Sequence, residues 1–214
     1  MQIIKKALVL AGLFGLASCT TGAGVDAPDL DTLGLENVDP LPGAYAVAFD
    51  QSFDQQLHRV YGARREDWTP VCPASIFELD LRTDSKDWTE DALKRALEKT
   101  ERVETPPTRA EMQDKGLAGA VTMSFDFVYP EFRCYYDGLT PRCIGQAEMG
   151  MTAKVALADG RSAELPIKSG LGQVNETVVF CPTAGSVAGD AVEKAFQDTM
   201  KQLVQGLTQD PGLR

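Results

Sequence analysis

Residues 121–129 read VTMSFDFVY, and this stretch decides the fold class. Val121, Met123, Phe125, Phe127 and Tyr129 alternate with Thr122, Ser124 and Asp126, the period of two that marks a half-buried strand. Residues 149–157 repeat the pattern. Met149, Met151, Ala153, Val155 and Leu157 alternate with Gly150, Thr152 and Lys154. Asp159-Gly160 then supplies a two-residue hairpin turn, because both residue types accept positive φ. Ala163, Leu165 and Ile167 return from it with Glu164 and Lys168 outside, and Pro166 marks an edge strand or a bulge. Residues 177–180 add a further short strand.

Upstream of this meander the folded part starts near Ala44, where Tyr45, Val47 and Phe49 alternate with alanines. Within 50–73, Phe53, Leu57, Val60 and Tyr61 fit one face of a short helix broken by Gly62 and Pro70. Phe77, Leu79 and Leu81 alternate with Glu78, Asp80 and Arg82 as a strand. A helix capped by Asp87, with Glu90 three residues on, carries the apolar stripe Trp88, Ala92, Ala96 and Leu97. Pro106 and Pro107 forbid its continuation, and 100–118 read as a polar connection. The chain closes with a helix over 187–207, whose Val192, Phe196, Met200, Leu203 and Leu207 recur at three- and four-residue steps. This order predicts an α+β domain spanning 44–210: an antiparallel sheet of about five or six strands with two helices packed on one face.

The N-terminus reads differently. Lys5 and Lys6 precede an uncharged apolar run, 7–17, of signal-peptide length and too short to span a bilayer, which takes about 20 residues. It ends in Leu16-Ala17-Ser18-Cys19. That tetrad resembles the lipobox of bacterial lipoproteins: an aliphatic residue, two small residues that admit the signal peptidase, then the acylated cysteine. The resemblance implies a signal peptide over 1–18 and palmitate-type acyl chains on Cys19. Each buried methylene of such chains contributes roughly 0.8 kcal/mol to membrane anchoring. An ordinary secretory signal with an incidental cysteine is the competing reading. Thr20 follows the cysteine, and the absence of Asp there implies the outer membrane. Residues 19–43 are small, acidic and rich in Gly and Pro, which predicts a flexible linker, averaging roughly 25–30 Å end to end as a coil. In the competing reading 30–35 pack on the domain.

Charge and cysteines bound the partners. Without 1–18, which hold two lysines and no acid, the 21 basic residues fall to 19 against 31 acidic ones, a formal charge of about −12. Such a chain is repelled by nucleic acid and by anionic lipid headgroups. With Cys19 assigned to lipid, four cysteines remain, and an even number in an exported chain predicts two disulfides. Cys134–Cys143 is favoured by proximity around a turn-rich loop, which leaves Cys72–Cys181. A tight turn at Asp137-Gly138 would set Cys134 opposite Pro141, so the first pairing calls for a wider loop. Zinc is disfavoured, since there is no C-x-x-C pair and His58 is the only histidine.

The order of elements over roughly 44–207 is similar to that of small outer-membrane lipoproteins that assist envelope assembly or transport, such as the auxiliary lipoproteins of lipid transporters and the lipopolysaccharide-assembly lipoprotein. Only the lipobox is a specific motif, and no functional residue carries over.

Little in the chain points to catalysis. His58 lies in a polar stretch and reads as a solvated surface residue. No G-x-S-x-G elbow occurs. Asp80, Asp84, Asp87, Glu90 and Asp91 crowd a strand end and a helix start, where acids complement the helix dipole. The most suggestive local feature is Tyr129, Phe132, Tyr135 and Tyr136 beside Cys134, with Arg133 and Arg142, since Tyr and Arg are favoured at binding hot spots; in the competing reading these rings cover the sheet edge or fill the core. The expectation is a membrane-anchored, non-catalytic lipoprotein that binds a protein or lipid partner in envelope assembly or transport. It needs no cofactor and faces the periplasm or the cell surface. The alternatives are a structural or surface-exposed lipoprotein with extracellular partners and, third, a periplasmic enzyme.

Overall fold

The computed structural model describes residues 20–35, 38–61, 76–178 and 181–214. The elements run β1 (Thr20–Gly22), a 3-10 turn (Leu30–Leu33), β2 (Leu41–Phe49), a second 3-10 turn (Gln51–Gln55), β3 (Leu57–Tyr61), β4 (Ile76–Asp80), α1 (Asp84–Ala96), β5 (Leu97–Arg102), α2 (Arg109–Asp114), β6 (Gly119–Asp137), β7 (Thr140–Leu157), β8 (Ser162–Lys168), β9 (Gly172–Thr177) and α3 (Cys181–Gln209). The class is α+β, but the sheet is mixed. Its order is β5-β2-β6-β7-β8, with β9 beside the far half of β7. β2 runs parallel to both its neighbours, β5 and β6, whereas β6/β7, β7/β8 and β7/β9 are antiparallel. The expectation of a purely antiparallel sheet is therefore corrected. Alternation reports which face a residue takes and is silent on strand direction. The parallel pairs arise because the chain between β2 and β5 crosses over through α1, as parallel neighbours require.

β5 was hidden by its composition. Its residues, LEKTER, are helix formers and charges, and only Leu97 is buried. Leu97 leaves α1 with extended geometry, φ −124° and ψ 136°, and starts this edge strand. Its charges suit an edge that must not recruit another chain. The helix begins at Asp84 rather than Asp87, with Thr83 at its N-cap position. The expected polar connection carries α2, closed by a capping box in which the Thr108 hydroxyl accepts from the Glu111 N–H and Glu111 accepts from the Thr108 N–H at 2.7 Å. The expected short helix within 50–73 is instead the 3-10 turn that buries Phe53, followed by β3.

One apolar cluster joins the sheet to α1 and α3. The α3 stripe read from the sequence, Val192, Phe196, Met200, Leu203 and Leu207, is fully buried, and each such side chain contributes roughly 1.5–3 kcal/mol. Trp88 of α1 meets Phe196 edge to face at 5.3 Å. α2 sits elsewhere. Its Met112 packs with Ala46, Leu117 and Ala120, whose neighbours Tyr45, Val47 and Val121 belong to the main cluster, so this helix covers the other face of β2 and β6.

The segment expected to be a linker is built into the domain. β1 pairs parallel with β4, and β3 completes a three-stranded sheet. Ala23 and Leu35 are buried, and Val25, Leu30, Leu33 and Val38 pack against the core. Gly189 of α3 lies so close to Gly24 that a Cβ there would fall 2.0 Å from the Gly24 carbonyl oxygen. The lack of a side chain at Gly189 lets the helix touch the chain backbone to backbone, whereas a Cβ on Gly24 would meet open space.

Candidate functional site

The longest feature of the molecule is the hairpin of β6 and β7, paired from Gly119↔Leu157 to Asp137↔Thr140. Its turn is Gly138-Leu139. Gly138 has φ 63°, the left-handed geometry that favours glycine at the first turn position. This register sets Cys134 opposite Cys143, and the two form a disulfide. No wider loop is needed, because the turn is one residue later than the Asp137-Gly138 turn considered above. The other hairpin turn is also shifted. Leu157 N–H donates to the Arg161 carbonyl, so 158–160 form a three-residue loop with Gly160 at φ 99°.

A register shift between Phe125 and Phe127 divides the hairpin. A bulge adds one residue and reverses which side chains face the core. Before it Val121, Met123 and Phe125 point inward; after it Val128, Phe132 and Cys134 do. Phe127 and Tyr129, expected in the same row as Val121, are turned to the opposite face. They stack there at 4.9 Å, with Tyr129 64% exposed and the Lys168 ammonium 5.9 Å over the Phe127 ring.

The expected binding cluster is split by the same geometry. Phe132 is 2% exposed and meets Phe77 edge to face at 5.2 Å, so it is a core residue and leaves the cluster. Tyr135 is half-buried on the opposite face, in register with Arg142. Arg142 lies 3.2 Å from Asp137, so its charge is countered locally. Tyr136 is 49% exposed near the turn, and Leu139, at the turn itself, is 97% exposed. Sequence reasoning passed over Leu139, although a large aliphatic residue between Gly138 and Thr140 was a signal. Among the described residues, no strand pairs with 126–137 on the side away from β7. Pro130 and the bulge interrupt that open edge.

The inner face of the distal hairpin is held by α3. A Cβ on Gly145 would fall 2.1 Å from the Val187 carbonyl oxygen, and one on Gly172 would fall 2.2 Å from that of Ala191. Only glycine admits the helix at this distance. Cys19 and Cys72 lie outside the described residues, and with Cys72 the expected pairing to Cys181.

Other titratable groups are accounted for by neighbours. His58 is half-buried, which lowers its pKa, and its Nε2 lies 2.8 Å from Gln56 Oε1; it is not the solvated residue expected. Hydrogen bonds from the Arg82 guanidinium hold Asp80 down to about 2. Arg102 lies 2.9 Å from Asp87, and Lys94 lies 2.9 Å from Asp91. Burial, then the charges of neighbouring acids including Asp26, raise Asp190 and Glu193 on α3. Among the described residues no group of three or more His, Cys, Asp or Glu side chains is placed to hold a metal, and no helix is long and apolar enough to cross a membrane.

No protein-family model and no curated relative matches the sequence. Solved structures with similar chain courses include a Xanthomonas campestris protein assigned to the family model DUF330, 14% identical, covering 89% of this chain and 92% of the other at a TM-score of 0.41. A neuraminyllactose-binding hemagglutinin homologue from Helicobacter pylori is 8% identical, covering 80% of this chain and 86% of the other at a TM-score of 0.33. Likenesses this distant carry no argument about activity, and the functional reading rests on the chain's own residues.

Proposed function

We propose that this protein is a non-catalytic lipoprotein, held by acyl chains on Cys19 at the outer membrane, that binds a protein or lipid partner in envelope assembly or transport. The observation that carries the reading is the tetrad Leu16-Ala17-Ser18-Cys19 at the end of a charged start and an apolar run of signal length. In this reading the polar groups of the domain serve its structure. Its histidine faces an amide, and Asp80, Asp87 and Asp91 face arginine or lysine. The cross-strand disulfide Cys134–Cys143 suits an exported chain.

Intact-mass analysis of the membrane-extracted protein tests the anchor. The expected N-terminus is Cys19 carrying a diacylglyceryl group, and Cys19→Ala should move mature protein out of the membrane fraction or leave an unprocessed precursor. Normal processing and membrane retention of that variant would overturn the reading.

A further inference from the structure

We infer that the tip of the β6–β7 hairpin, Tyr136 and Leu139, rests on the same phospholipid bilayer that holds the acyl chains of Cys19. This rests on the lipoprotein reading above and adds a second point of contact, which sets the orientation of the domain.

Consecutive Cα atoms are about 3.8 Å apart, so Cys19 lies beside Thr20 whatever its conformation. A flexible linker would have freed the domain from the anchor. Instead Thr20 is already in β1, paired with Ile76 at the start of β4. In the lipoprotein reading the acylated residue is the immediate chain neighbour of β1.

Phe77, one residue after Ile76, meets Phe132 at 5.2 Å, and its ring also lies against Gly185. Gly145, the register partner of Phe132, abuts the Val187 carbonyl. Phe77, Phe132, Gly145 and 185–187 thus share one level. From there β4 runs toward the body of the domain. Leu81 N–H donates to the Gln56 carbonyl, and the neighbouring Phe53 meets Phe125 at 4.5 Å, well back along β6. The start of β4, and of β1 parallel to it, therefore points toward the hairpin turn. From Phe132 to Gly138-Leu139 an extended strand rises roughly 20 Å at about 3.3 Å per residue. The hairpin reaches past Thr20 at the same end, so both meet one bilayer with the ribbon tilted over toward the membrane plane.

The chemistry of the tip fits a bilayer surface. Leu139 is 97% exposed and Tyr136 49% exposed. Tyrosine favours the headgroup level, with its ring toward the chains and its hydroxyl in water. Asp137 pairs with Arg142 beside the turn, so this pair adds no net charge to be repelled by anionic headgroups, unlike the acidic protein as a whole. The Cys134–Cys143 disulfide and the two-residue turn hold the ribbon in shape, which limits the ordering cost of contact.

The test is photocrosslinking of the full-length, lipid-bearing protein in intact cell envelopes. A benzophenone side chain replaces Leu139 or, as a control, Lys115, an exposed position at the opposite end of the domain. Adducts are identified by mass. Phospholipid adducts at 139, lost at 115, are the expected result. Protein adducts in place of lipid at 139, equal lipid adducts at both positions, or no lipid adduct at 139 would each overturn the inference. The N-terminal mass of the same sample separates the two readings. An acylated Cys19 without lipid adducts at 139 sinks only the tip contact, whereas a chain lacking acylation sinks the lipoprotein reading and with it the claim of a shared bilayer, whatever adducts form at 139.

Discussion

The two halves of the β6–β7 hairpin are made of the same strands and serve different ends. Toward the body, residues 119–123 of β6 lie between β2 and β7, while 150–156 of β7 lie between β6 and β8. The inner face packs on the main apolar cluster, and Ala120 packs on the side of α2. Beyond the bulge β6 has β7 as its only paired neighbour among the described residues, and its outer face carries the exposed Tyr129. One inserted residue separates a stretch devoted to the core from a stretch that keeps one face for it and turns the other out. The buried face of the distal ribbon runs as far as Cys134 and Cys143, and the exposed Tyr136 and Leu139 lie beyond it.

This contrast can be broken by substitution along the ribbon. Phe132→Ala removes a ring packed on Phe77, and about 3–5 kcal/mol of stability should be lost in denaturant unfolding. Gly145→Ala pushes a methyl group into the Val187 carbonyl and should cost about 1–3 kcal/mol, because α3 must shift outward. Leu139→Ser, six residues from Gly145 along the same hairpin, should change stability by no more than about 0.5 kcal/mol. A Leu139→Ser loss as large as that of Phe132→Ala would mean that the tip is part of the core after all.

Much of this was legible in the residues. The alternation in 121–125 and 149–157 placed β6 and β7 on the correct face of the sheet, and the three- and four-residue steps from Val192 to Leu207 located α3. The misses share a physical origin. Asp126 looks like an ordinary outward residue, and nothing local marks it as a bulge, so Phe127 and Tyr129 were assigned to the inner row. β5 resembles helix because an edge strand with a charged surface needs few apolar residues. The parallel pairing of β2 is a property of the crossover, which no window of sequence contains. Residues 20–35 are polar and glycine-rich, a composition shared by tethers and by segments that dock backbone to backbone, as Gly24 does on Gly189. The disulfide Cys134–Cys143 was found from spacing, but the turn that permits it was misplaced by one residue. Within the candidate site, exposure near the tip belongs to Tyr136 and to the overlooked Leu139, while Phe132 belongs to the core.

The most direct test compares hydrogen exchange in the lipid-bearing protein on phospholipid vesicles with exchange in a soluble form beginning at Thr20. The account predicts added protection on the vesicles at 136–142 and at 20–22, with 115–118 and 158–161 unchanged. Protection gained at 115–118 or 158–161, or none at 136–142 in protein shown to be vesicle-bound, would contradict the claim that the anchor and the hairpin tip face one membrane.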